Sequence, residues 1–195
     1  MRPDDEMLRL FVAVSLPEDV RDALARFQEE LRGRGLSGPR WVRPEGIHFT
    51  LKFLGETPAA KVTAINEALA GAIRERRRLR LALGTTGTYG GRRGPRVLWL
   101  DITGDVERLR EVQRAVEAAL VDVGFPPEER AFSPHLTLAR FRQPPQPGIA
   151  ERVSQALESV TPPQAEFEVW EVVLMRSTLQ PGGAVYERLA AFPLT

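Results

Sequence analysis

Cysteine is absent from the chain, which removes disulfides, thiol nucleophiles and thiolate metal sites together. Lysine is nearly absent: Lys52 and Lys61 are the only two, and arginine carries the rest of the positive charge. Histidine also occurs only twice, at His48 and His135. No apolar run approaches the roughly 18 residues of a membrane span. The opening MRPDDEMLRL lacks a basic stretch followed by an apolar one, so it does not read as a signal peptide. Together these point to the cytoplasm. An excess of one charge is missing too. Lys plus Arg is 27 and Asp plus Glu is 26, a net charge of +1, so any nucleic-acid surface must be local.

What is present fits a globular chain: 43% hydrophobic residues over 195 positions, enough for one domain or two small lobes sharing a core. The arginine bias suits a GC-rich genome or a thermophilic host. It equally suits phosphate, because the planar guanidinium can take two oxygens at once. Composition leaves both readings open.

The pattern along the chain alternates strands and helices. Residues 9–16 (RLFVAVSL) read as a strand, and Pro17 starts a helix to about Arg32 with Leu24, Phe27 and Leu31 on one face. Residues 33–44 read as a loop, 47–54 as a strand, and Pro58 to about Arg78 as a helix. Strands are expected at 79–84 and 96–102, with the glycine-rich TTGTYGGRRGP as the loop between them. A helix at 105–123, a loop at 126–134 and a strand at 135–141 follow. A helix at 149–160 and strands at 167–175 and 184–192 complete the order.

Both halves thus read strand, helix, histidine strand, helix, strand. The two histidines lie 87 residues apart, and that shift lays LFVAVSL on VLWLDI and the first helix on the helix at 105. The order implies an internal duplication with approximate halves 8–90 and 95–192 within a single bilobal domain 1–195. The expected fold class is α+β: two pseudo-symmetric lobes, each a mostly antiparallel sheet with outer helices, and a cleft between them holding the histidine strands.

Each histidine opens the same tetrapeptide pattern, His48-Phe49-Thr50-Leu51 and His135-Leu136-Thr137-Leu138. Side chains alternate along a strand, so His and Thr two apart share a face. One histidine on a strand is commonly an ordinary half-buried residue. Two in matched positions of a repeat, each followed by Thr-Leu, point to chemistry. Two histidines are too few for zinc, and no carboxylate sits at a familiar ligand spacing nearby, so no metal is expected. Imidazole titrates near pH 6.5, so one ring can be neutral while the other is protonated. Concerted acid–base work needs that pair. Displacement in line at phosphorus puts attacking and leaving oxygens on opposite sides, which suits one imidazole per wall of a cleft. The threonine hydroxyls can donate to the non-bridging oxygens. No serine or cysteine nucleophile has the needed neighbours, so water is the expected attacker.

The paired His-x-Thr-Leu motifs resemble the 2H phosphoesterase superfamily. Their flanks look like its RNA 2',3'-cyclic phosphodiesterase, or 2'-5' RNA ligase-like, family. The supporting segments are RLFVAV, Trp41 ahead of IHFTLKFLG, PRVLWL, SPHLTLARF and the tail RSTLQPGGAVYERLAAF, in order over essentially the whole chain. The resemblance implies His48 as proton donor to the leaving ribose oxygen and His135 as the base that activates water. It implies Thr50 and Thr137 as phosphate holders and Arg140 as a substrate contact, although strand parity puts Arg140 off the His135 face unless the strand bends near Ala139. The implied substrate is an RNA end or a small 2',3'-cyclic nucleotide. The implied product is a 2'-phosphate, formed with no metal and no nucleotide cofactor, and ligation to a 2'-5' bond is the reverse chemistry. No membrane or protein partner is implied, and a monomer is expected.

Several residues keep two readings. Arg92 and Arg93 are RNA-backbone contacts or a solvated turn. Trp41 stacks a base or packs at the loop–strand junction, and Tyr89 could also stack a base. Arg74, Arg76, Arg77 and Arg78 form a local basic run or complement a helix C-terminus. Tyr186 is core edge or part of the site.

Overall fold

The computed structural model describes residues 6–36, 38–91, 94–142, 147–181 and 183–195. Arg92 and Arg93 fall outside the described residues. In chain order the elements are β1 (Met7–Ser15), α1 (Glu18–Gly33), β2 (Arg40–Trp41), β3 (His48–Pro58), α2 (Val62–Ile73), β4 (Leu79–Gly91), β5 (Gly94–Gly104), α3 (Val106–Val121), β6 (His135–Arg140), α4 (Ile149–Ser159), β7 (Glu166–Val169), β8 (Glu171–Gln180) and β9 (Gly183–Pro193). They form an α+β fold with two antiparallel sheets, ordered β3-β1-β8-β9 and β2-β6-β5-β4-β7.

The run LFVAVSL is apolar on both faces because β1 is central and covered on both sides. Leu8, Leu10, Val12 and Val14 enter the common core, while Phe11 and Ala13 join Val173 in a smaller cluster on the other face. Helix α1 turns Val20, Leu24, Phe27 and Leu31 inward at helical spacing, and α3 does the same with Leu109, Val112, Val116 and Leu120. Both sheets and all four helices share this core. The segments β1-α1-β3 and β5-α3-β6 run in the same order, one in each sheet. Each sheet also borrows from the other half: β4 lies in the five-stranded sheet, and β8 and β9 in the four-stranded one.

Four expectations change. TTGTYGG is not a loop: β4 runs on to Gly91 and pairs with β5. Its glycines make room rather than turns, since a Cβ on Gly87 would collide with the Trp99 indole on the neighbouring strand. The stretch 167–175 is not one strand. It breaks at Trp170, with β7 in one sheet and β8 in the other, so continuous β-rich composition hides a crossing between sheets. The second helix ends at Ile73 instead of Arg78, and Glu75 takes a left-handed φ of 65°. Arg74 is then the C-cap residue, and Arg76 reaches back to donate its Nε to the Ala72 carbonyl of the last turn at 2.7 Å, while Arg78 stacks on Trp170, 3.8 Å from the ring centre. Finally, the loop at 33–44 contains β2, which pairs with β6 through Arg40–Arg140 and Trp41–Ala139.

Candidate active site

His48 opens β3 opposite Ser15 of β1, and His135 opens β6 opposite Asp101 of β5. Each ring is tethered to the backbone two residues upstream. The Nδ1 of His135 lies 2.8 Å from the Ser133 carbonyl, and the His48 ring hydrogen-bonds the Gly46 backbone. A carbonyl can only accept, so Nδ1 of His135 carries a proton, which leaves Nε2 as the ring atom that can exchange one.

Each ring also meets a tyrosine edge to face. Tyr186 of β9 lies 5.1 Å from His48 at 87°, and Tyr89 of β4 lies 5.1 Å from His135 at 84°. Beneath His48, Phe11 stacks at 4.7 Å. Tyr89 also packs on Trp99, and its hydroxyl is 3.4 Å from Ser133 Oγ. Burial pushes His48 from 6.5 down to about 4; the Gly46 hydrogen bond opposes this and the Arg140 guanidinium adds to it. His48 is therefore neutral in the empty site at pH 7.

Thr50 and Thr137 lie two residues beyond their histidines, paired with Ala13 and Trp99. Both are half-buried and share their histidine's face. Arg140 resolves the parity question. On β6 the register passes from Thr137–Trp99 to Ala139–Leu98, so Leu138 is an extra residue, a β-bulge. Leu138 and Ala139 are then both buried, and Arg140 emerges on the site side, where its charge acts on His48 of the other sheet. β3 bulges at the matching place: Ala13 pairs Thr50 and Val12 pairs Lys52, leaving Leu51 unopposed.

Trp41 packs against the common core with the Arg32 guanidinium 5.0 Å from its ring centre. Among the described residues no group of three or more His, Asp or Glu side chains is placed to hold a metal. No helix among them is long and apolar enough to cross a membrane. Sequence reasoning passed over Gly46, Ser133 and Phe11, and left Tyr186 and Tyr89 unassigned to a histidine. The one signal in the sequence was the mismatch between Arg140's strand parity and the role the resemblance implies for it.

Two antiparallel sheets, each presenting a His-x-Thr strand from matched positions, define the class of two-histidine, or 2H, phosphoesterases. The pattern of the 2'-5' RNA ligase superfamily matches residues 17–180. The chain belongs to that superfamily. It is 35% identical over 184 residues to a Geobacillus stearothermophilus protein named RNA 2',3'-cyclic phosphodiesterase, covering 94% of this chain but only 56% of that longer protein. A protein of the same name from Methanothermobacter thermautotrophicus is 32% identical, with 96% of this chain and 99% of that one covered. The crystal structure of Escherichia coli LigT complexed with 3'-AMP superposes with a TM-score of 0.75 at 29% identity, over 97% of this chain and 99% of that one.

Proposed function

We propose that this protein hydrolyses RNA-terminal 2',3'-cyclic phosphate to a 2'-phosphomonoester by metal-independent acid–base catalysis with two histidines. The observation that carries the reading is the matched pair of backbone-tethered imidazoles, one from each sheet, with Arg140 of one sheet charging the surroundings of the other's histidine. Nε2 of His135 takes a proton from water as the water oxygen bonds to phosphorus. The bond from phosphorus to the ribose 3' oxygen breaks, and His48 delivers a proton to that oxygen. The products are a 2'-phosphate and a free 3'-hydroxyl. Thr50 and Thr137 donate to the non-bridging oxygens, and Arg140 sets a cation against their charge.

The low proton affinity of His48 makes the substrate part of the device. A phosphodiester anion offsets the Arg140 charge and adds a negative one, and both favour protonated His48. Binding therefore carries proton uptake at the donor. A 5'-hydroxyl held in place of water would attack phosphorus in the same step, the bond to the 3' oxygen breaking and a 2'-5' bond forming. On this reading the protein acts as a monomer in the cytoplasm on RNA ends or small cyclic nucleotides. The matching bulges support a duplication with halves near 8–90 and 95–192. The relatives' names and the LigT complex support the substrate class. Incubation with each nucleoside 2',3'-cyclic monophosphate in EDTA, followed by identification of the product isomer, tests the function. A 2'-phosphate is expected; a 3'-phosphate, or no turnover until metal is added, contradicts it.

A further inference from the structure

We propose that Gln28 is a positioning residue for Arg140: from helix α1 it holds the β6 bulge that turns Arg140 into the site. Strand alternation alone sends Arg140, five residues past His135, to the opposite face. The bulge at Leu138 cancels that parity, so whatever fixes the bulge fixes the arginine.

Gln28 is 1% exposed on a helix face otherwise built from Val20, Leu24, Phe27 and Leu31. A buried amide among apolar side chains needs partners. Its Nε2 donates to the Leu138 carbonyl at 3.0 Å and to the Val42 carbonyl at 2.9 Å. The backbone N–H of Val42 donates to the same Leu138 carbonyl at 2.9 Å. The amide thus ties the bulge residue of β6, 110 residues from Gln28 in sequence, to the chain leaving β2.

The other half repeats the device independently. Gln113, 7% exposed on the buried face of α3, donates to the carbonyl of Leu51, the bulge residue of β3, at 3.4 Å, and to Glu117 at 3.2 Å. Each helix therefore pins the histidine strand of the opposite sheet at the leucine of its His-x-Thr-Leu motif. In β3 the residue presented at the position matching Arg140 is Phe53, so only the Gln28 clamp bears on a charge.

The inference rests on the reading of Arg140 as the phosphate's cation, and the test separates the two. Gln28→Met keeps the volume and removes both donated bonds. The readouts are steady-state kinetics on a 2',3'-cyclic nucleotide and a pH titration of the two histidine ring signals by NMR, beside Arg140→Ala. Around His48 lie the Gly46 backbone, Phe11, Tyr186 and Arg140, so Arg140 is the charged neighbour whose withdrawal moves that titration. Gln28→Met should raise KM about tenfold with kcat within about twofold. It should also move the His48 titration upward, in the direction Arg140→Ala moves it. If Gln28→Met does not fold, Gln28→Asn, an amide one carbon short, should give the same changes at smaller size. A folded Gln28 variant with unchanged KM and an unmoved His48 titration overturns the inference, whatever its loss of melting temperature. An Arg140→Ala protein with unchanged KM removes the arginine's role itself, and the inference falls with it.

Discussion

β3 and β6 begin alike and end differently. Both start on a histidine tethered two residues upstream, place a threonine on the same face, bulge at a leucine and have a tyrosine edge against the ring. Past the bulge they part. β3 continues with Lys52, buried in an ion pair with Glu117 at 2.5 Å, and with Phe53, which is 66% exposed. β6 continues with Ala139 and Arg140. One strand is nailed to the far helix by a buried cation, and the other sends its cation into the site. The same backbone device thus serves anchoring on one side and, under the proposed function, anion capture on the other. The asymmetry also separates the two histidines, because the Arg140 charge adds to the burial that lowers His48.

Removing either ring should do the most damage. His48→Ala and His135→Ala should each lose on the order of 10²–10⁴ in rate while remaining folded, as for a positioned acid or base. The double variant should lose far less than the product of the two, since both act in one step. A single variant at near-full activity breaks the pairing. The anchoring role of β3 is sharpened by Lys52→Met, which strands Glu117 beside the Pro126 carbonyl that the ammonium also binds. Denaturant melts should show a loss on the order of 3 kcal/mol, the scale for breaking a buried pair. A neutral result would mean that solvent reaches the pair. Arg140→Ala should cost about tenfold or more in KM with little change in melting temperature, as for loss of a charge-assisted phosphate contact. Excess EDTA should change nothing measurable; a loss of activity restored by zinc or magnesium would contradict the metal-free mechanism.

The sequence made the histidine strands legible because His and Thr two apart need only strand alternation to share a face. The amphipathic helices were legible for the same reason, one period each. The bulges at Leu51 and Leu138 were not, since they depend on pairing register with β1 and β5. Only the mismatch between Arg140's parity and its family role hinted at one of them. Nor was the break at Trp170, where two strands of different sheets share one unbroken β-rich run. The glycines of TTGTYGG read as turn signals, but at Gly87 the constraint is the Trp99 ring across the hairpin. Gln28 and Gln113 sit next to Phe27 and Val112 on apolar helix faces. Sequence does not mark a lone glutamine there as buried, and the partners, 110 and 62 residues away, were not legible either.

The assignment of roles to the two rings is tested most directly by the pH profile of residual kcat/KM in His135→Ala. In the unmodified protein the acidic limb should lie near 4, because it follows free-enzyme His48 whichever ring ends up as donor. With the partner ring gone, only the proton on His48 matters. If His48 is the donor, residual activity should fall as pH rises through about 4 and stay low above it. If instead it rises through that region, His48 is the base and the roles are exchanged. A flat profile would contradict acid–base catalysis by this histidine.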